Sequence, residues 1–378
     1  MKYTVSKEAD KKIEKDIEII KKVILNEIKP EAIILFGGFG HGGGSFKKIR
    51  GKIVPLNDYD LYVITKRKTG ENTIKELEER CAGAINRGGL EIVEKFNGNY
   101  DINQFFHVDL HFIELRKLKK LYPTQRTFDL KTSLVIYSNE KILDKIPEIK
   151  ISKSDAIRLL FNKIDHFSIA EGNSKEIKSI YAVKGLTDLC SALLIFEGKY
   201  VSRYQDREKI FKSLNVPEEL KRLVSLATKA KLYHGYETKE TDKLFEESKK
   251  WVEWTLKKII REHLKIKSEN WKEICRIVYK RLPYRYFNDY LNSEYLFFGQ
   301  YYLNIRFFIA GLKKKETLLR SLLRWRDSGL IIAISLLLYS FNEKEEAKKY
   351  LRKLTKKTEP LRERILKLYS IYYLQKLV

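Results

Sequence analysis

The chain is expected to fold as a mixed-sheet domain of the α/β or α+β class followed by all-α domains, and three observations set that expectation. Residues 1–145 alternate between segments of helical period and segments of period two, in the order helix, strand, strand, helix, strand, strand. Beyond residue 146 almost every segment carries the helical period, with a further division near residue 266, so the chain divides as 1–145, 146–266 and 267–378. The 378 residues, 43% of them apolar, are enough to bury a core in each part.

Taken in order, Ser6 to Ile28 carries Ile13, Ile17, Ile20, Ile24 and Ile28 at intervals of three and four, an amphipathic helix that Pro30 ends. Ala32 to Phe36 is an apolar strand that runs into the glycine-dense turn opened by Gly37 and Gly38. The excursion Gly40 to Pro55 concentrates Lys47, Lys48, Arg50 and Lys52, a basic loop able either to close over an anion or to lie solvated. A second strand opens at Asp58-Tyr59-Asp60-Leu61, where period two sets Asp58 and Asp60 on one face and Tyr59 and Leu61 on the other. Glu71 to Arg87 reads as a helix stopped by Gly88-Gly89; Leu90 to Phe96 and Phe106 to Leu115 read as strands joined by Asn97 to Gln104. In the latter strand Val108, Leu110 and Phe112 take the core face, and His107, Asp109 and His111 the opposite one. A short strand, Ser133 to Tyr137, precedes the boundary around Pro147.

The helical part begins with Ser154 and Asp155 as caps for a helix carrying Ile157, Leu160, Phe161 and Ile164. Tyr181 to Glu197 turns Leu186, Leu189, Leu193 and Leu194 inward and sets Lys184, Asp188 and Ser191 along a polar face, with Gly198 as the stop. Glu218 to His263 continues as helix broken around Tyr233 to Glu240. The most apolar run, Leu330 to Phe341, is far short of the roughly 20 residues of a membrane span and reads as a buried helix. Arg281 to Phe308 interleaves Tyr284, Tyr286, Phe287 and Tyr290 with Arg281, Arg285 and Arg306, a mixture that either stacks single-stranded bases or packs a core.

Chemistry concentrates at the acids. Two carboxylates side by side on a solvent face repel unless a cation compensates them, and hard oxygen pairs suit Mg²⁺. Glycines let backbone N–H groups close on an anion, so the Gly37-Gly38 turn makes a nest for phosphate oxygens. Asp109 supplies a third acid; His107 and His111 flank it as a ligand, a proton relay or hydrogen-bonded bystanders, and His41 lies within the glycine turn, where it can help neutralise phosphate. Lys and Arg outnumber Asp and Glu by 75 to 50, a formal charge of +25, which fits either a polyanionic partner such as RNA or the lysine-rich, Met-poor surface of a thermophile protein. Three scattered cysteines fit a reducing cytoplasm and exclude a cysteine zinc site. The charged N-terminus shows no signal peptide, and no membrane association is expected.

Gly37-Gly38, Asp58-x-Asp60 and the single Asp109 between apolar neighbours together resemble the signature of the polymerase-β-type nucleotidyltransferase superfamily. The string GGFGHGGGS…PLNDYDLYVIT is similar to an uncharacterised prokaryotic branch, and the similarity continues through Ile157 to Lys163 and Ala192 to Arg207. The resemblance implies an α+β nucleotidyltransferase domain, two divalent ions (Mg²⁺ or Mn²⁺) on Asp58, Asp60 and Asp109, and an NTP, with ATP expected, held by Gly37, Gly38 and Lys184. It implies transfer of an NMP to a hydroxyl acceptor with release of pyrophosphate. RNA, a protein (AMPylation-type) or a small molecule remains open as acceptor, and so does a non-catalytic nucleotide- or RNA-binding module. It further implies that Arg158 and Asn162 order the domain junction or touch nucleotide, and that Tyr200, Arg203 and Arg207 line the cleft. The chain departs from the superfamily in the long gap between Gly38 and Asp58, which implies an inserted hairpin or lid, and in His41 and Gly43, where relatives carry Arg and Glu.

Overall fold

The isoleucine spacing at the N-terminus becomes helix α1 (Lys7–Glu27), capped by the Ser6 hydroxyl and burying Ile13, Ile17, Ile20 and Ile24. This is seen in a computed structural model that describes residues 2–56, 58–87, 108–138, 140–161, 163–171, 173–281, 305, 307–309, 311–312, 318–322, 328–356, 358 and 360–377. Strand β1 (Ala32–Leu35) follows and ends in one helical turn, α2 (Gly37–Gly40). The basic excursion is a hairpin of β2 (Phe46–Ile49) and β3 (Lys52–Pro55). Its two loop residues, Arg50 and Gly51, have φ of 48° and 79°, the left-handed geometry that matches a two-residue turn to the twist of the strands. Lys48 pairs with Glu8 of α1 at 3.1 Å, so the hairpin is seated on the body of the fold.

Strand β4 (Tyr59–Thr65), helix α3 (Glu71–Ala84), strand β5 (Val108–Glu114), helix α4 (Gln125–Lys131) and strand β6 (Leu134–Tyr137) complete this part. The four long-range strands lie in the order β5-β4-β1-β6, with β4 and β5 parallel and β1 antiparallel to both β4 and β6, so the sheet is mixed as expected. One face packs Ile33, Leu35, Tyr59, Leu61, Val63, Val108 and Leu110 against α1 and α3. The other packs Ala32, Ile34, Tyr62 and Ile64 against Leu118, Leu130, Ile142 and Ile146. That second cover begins at Tyr62, so among the described residues it does not extend over the first residues of β4 and β5 on that face.

The helices that follow are α5 (Lys153–Phe161), α6 (Ile164–Ala170), α7 (Lys175–Phe196), α8 (Tyr204–Lys212), α9 (Glu218–Tyr233), α10 (Thr241–Leu264), α11 (Trp271–Arg281), α12 (Leu319–Leu322), α13 (Ser328–Ser340), α14 (Lys344–Leu351) and α15 (Leu361–Leu377). The expected break between Tyr233 and Glu240 separates α9 from α10, and Gly198, at φ 68°, ends α7 with Lys199 N–H donating to the Leu194 carbonyl at 2.8 Å. Helix α7 reaches membrane-spanning length and hydropathy, but 89% of its apolar window is buried by the fold, and α13 is likewise a buried helix.

Two elements differ from expectation. Helix α3 stops at Ala84, ahead of the glycine pair, because Asn86 takes φ 57° and Arg87 N–H returns to the Ala82 carbonyl at 2.9 Å. Strand β4 starts at Tyr59, with Asp58 immediately before it. The expected strand Leu90 to Phe96, the connection Asn97 to Gln104, His107, Asn162 and most of Arg281 to Phe308 lie outside the described residues.

The chain forms two compact units, 1–152 with 173–246, and 153–172 with 247–378. Residues 153–172, which the sequence division places with 146–266, therefore group with the C-terminal helices. Ser168 and Ser340 hydroxyls meet at 2.9 Å, Arg362 donates to the carbonyls of Ser168 and Glu171 at 2.6 and 3.0 Å, and Lys249 pairs with Glu171 at 2.6 Å. The sheet, the glycine turn and helices α7 to α9 all belong to the first unit.

Candidate active site

Parallel pairing of β4 with β5 sets Asp60 opposite Asp109 and Tyr62 opposite His111. Neighbouring strands are about 4.8 Å apart and alternate residues share a face, so these four side chains stand on one face, Tyr62 buried at the edge of the second hydrophobic cover and Asp60, Asp109 and His111 half-buried beside it. Asp60, Asp109 and His111 are each half-buried, and one ligating atom from each falls within 4.8 Å of the others. His111 Nε2 lies 3.8 Å from Asp60 Oδ1. Two carboxylates in register repel, and oxygen and imidazole donors on one face have the chemistry to hold a divalent cation. Asp58 is half-buried one residue ahead of β4 and lies outside this group of three.

The strands carrying these groups are pinned from behind. Tyr59, between the two acids in sequence but on the opposite face, donates its hydroxyl to buried Asp16 of α1 at 3.0 Å, and Lys12 also bonds Asp16. Burial first, then the Asp16 carboxylate, pushes the Tyr59 phenol well above its usual range, so it remains a donor. Glu78 of α3 accepts the Leu110 N–H at 2.9 Å, which holds β5 between Asp109 and His111. The His111 ring lies 5.1 Å from the Tyr62 ring at 44°, and Tyr62 is in turn bonded by Arg126 of α4, whose guanidinium sits 5.3 and 5.4 Å from the Tyr62 and Phe36 rings. Arg126 carries no sequence signal; only the packing of α4 brings it here.

The glycine turn is seated directly on the acids. Phe36 N–H donates to the Asp60 carbonyl at 2.8 Å, and Gly37 follows at φ +67°. A Cβ at Gly37 would come within 2.6 Å of Asp60 Oδ2, and one at Gly40 would overlap the Leu35 carbonyl oxygen. These two positions take glycine because the backbone must approach a carboxylate and a carbonyl. Gly37 is thus set against Asp60, and Asp60 against Asp109.

His41 ties the turn into the fold. Its Nδ1 lies 2.9 Å from the Gly37 carbonyl and its Nε2 2.9 Å from the Asp129 carbonyl, so both nitrogens are used inside the protein and the ring ties the turn to α4. Tyr200 and Arg207 are not cleft-lining. The Tyr200 hydroxyl bonds the Asp129 carboxylate at 2.9 Å, Ser202 donates to it at 2.6 Å, and Arg207 donates to Ser191 Oγ at 3.0 Å, all of them buried. Burial, against the pull of Arg207, holds the Tyr200 phenol well above its usual range. Arg203 is exposed, and Arg158 is buried against Asp155 within α5.

Lys184 is half-buried on α7 and acts electrostatically on Tyr236, near the exit of the glycine turn. There Lys231 of α9, 3% exposed, donates to the Tyr236 hydroxyl at 2.9 Å and lies 4.6 Å from the Tyr204 ring centroid. Burial pushes the Tyr236 phenol up, but Lys231, then Lys184, and hydrogen bonds from Lys231 and Ser45 outweigh it and bring it to about 8. Gly43 lies flat on Tyr204, where a Cβ would come within 2.7 Å of the ring. Lys231 was missing from the sequence expectations, although its place four residues after buried Ala227 on the apolar stripe of α9 marks it as a buried cation.

No family model and no curated protein matches the chain. Among solved structures, the chain is similar to a crystal structure of spectinomycin adenyltransferase AAD(9) from Enterococcus faecialis with ATP and spectinomycin, at 14% identity and a TM-score of 0.41, over 65% of this chain and 98% of that one.

Proposed function

We propose that the chain is a metal-dependent nucleotidyltransferase that moves an NMP from an NTP, ATP foremost, to a hydroxyl acceptor and releases pyrophosphate. The observation that supports this reading best is the register of Asp60 with Asp109 on one face, with the Gly37 turn seated against the Asp60 carboxylate. Asp58, Asp60 and Asp109 would hold two Mg²⁺ or Mn²⁺ ions, which when bound neutralise charge on the attacking and leaving oxygens. The backbone N–H groups of Gly37 and Gly38 receive the triphosphate, and Lys184 neutralises its β- or γ-phosphate. Asp109 takes the proton of the acceptor hydroxyl as its oxygen bonds the α-phosphorus; the bond from that phosphorus to the bridging oxygen breaks, and pyrophosphate leaves with the electron pair.

The acceptor is proposed to be RNA, because a formal charge of +25 favours a polyanion through counterion release. Incubation with each α-labelled NTP, Mg²⁺ or Mn²⁺, and total RNA or lysate tests both parts. Label in RNA supports the full reading. Label in protein or in a small soluble product keeps the chemistry and replaces the acceptor. Absence of transfer under every condition would overturn the enzymatic reading and leave a nucleotide- or RNA-binding module.

A further inference from the structure

We propose that His111 is itself a metal ligand, so that the ion next to Asp60 and Asp109 is bound by a mixed oxygen and imidazole set that favours Mn²⁺ or Co²⁺ over Mg²⁺. The inference rests on the reading of these acids as a metal site and goes beyond it in naming a third donor and the class of ion that donor selects.

Three features of the geometry carry it. Donors about 2.1 Å from one ion are separated by roughly 3 to 4.2 Å, depending on the angle between them. His111 Nε2 stands 3.8 Å from Asp60 Oδ1, inside that range and beyond hydrogen-bond distance, and Asp109 offers an oxygen within 4.8 Å of both. The side chains converge because of strand register: residues 60 and 109 are paired, and residue 111 is the next position on the same face. The orientation of the imidazole is also fixed by packing on the Tyr62 ring at 5.1 Å, itself held by Arg126 and packed against Phe36 at 5.2 Å.

The chemistry of the donors then decides the ion. Mg²⁺ demands oxygen ligands and keeps its waters, whereas imidazole suits the first-row transition ions, whose affinity rises from Mn²⁺ to Co²⁺. A site made of Asp60 and Asp109 alone would discriminate little beyond size. With His111 in the coordination sphere, Mn²⁺ gains a bond that Mg²⁺ does not.

Pulsed electron paramagnetic resonance of Mn²⁺ bound to the full chain tests this without turnover. The wild type is expected to show nitrogen modulation from a directly bound imidazole, and His111→Ala is expected to lose it. Calorimetric titration should show Mn²⁺ affinity falling about tenfold or more in His111→Ala while Mg²⁺ affinity stays within about twofold of wild type. His111→Asn reads the same ratio should the alanine variant fail to fold. Mn²⁺ that binds dependent on Asp60 but shows no nitrogen modulation would overturn the His111 assignment and leave the nucleotidyltransferase reading standing. Mn²⁺ and Mg²⁺ binding indifferent to Asp60→Asn would overturn both.

Discussion

Two carboxylate clusters in the same unit are built to opposite ends. Asp129 has a side chain 8% exposed and is bonded by the hydroxyls of Tyr200 and Ser202 and by Gln125, with the Arg207 guanidinium 3.8 Å away. Asp60 has a side chain 30% exposed and faces a second carboxylate across the strand register. In the first cluster the protein supplies the compensation for charge, so the acid stabilises the fold. In the second it sets two half-buried carboxylates in register with an imidazole beside them, a donor set suited to an external cation.

The largest expected difference between the clusters is in stability. Asp129→Ala leaves buried Arg207 without its carboxylate and is expected to lower the free energy of unfolding by about 3–5 kcal/mol, measured by urea denaturation. Asp60→Ala is expected to leave it unchanged or raise it slightly, by relief of repulsion; equal losses in the two variants would erase the distinction. Next is the junction between turn and acid. Gly37→Ala forces a side chain into positive φ and against Asp60 Oδ2, and is expected to cost about 1–2 kcal/mol in a thermal melt and to weaken Mn²⁺ binding in titration. His41→Ala removes the link between the turn and the Asp129 carbonyl, for about 1 kcal/mol, with Mn²⁺ affinity retained.

The smallest effect is spectroscopic. Tyr236 should titrate near pH 8, seen as phenolate absorbance that Tyr236→Phe abolishes. Its folded value is depressed below the usual 10, so its contribution to stability is present above pH 10 and lost as pH falls through about 8. Lys231, whose own value is pushed up by Tyr204 and Tyr236 against the effect of burial, stays cationic across that window. A stability curve flat between pH 8 and 10 would contradict the pairing.

What was legible in the sequence followed from local rules. Period two alone put Asp60 opposite in face to Tyr59 and Leu61, and Asp109 and His111 opposite to Val108 and Leu110, and the sheet cores divide that way. The mixed sheet was legible for the same reason, whereas the hairpin of residues 46–55 was implied only by the resemblance, as a hairpin or a lid in the long gap between Gly38 and Asp58. The rest depended on partners distant in sequence. His41 finds its second carbonyl 88 residues away, Tyr200 and Arg207 turn inward because Asp129 is buried beneath them, and residues 164–170 join the helix that begins at residue 328. No window of sequence contains both members of those pairs.

The central claim is that the acid pair performs nucleotidyl transfer, and the most direct measurement is pyrophosphate release from NTP by wild type and Asp60→Asn, with matched thermal melts. The account predicts release in wild type and a loss of about a thousandfold or more in the variant at unchanged melting temperature. Equal release by the two proteins would contradict it.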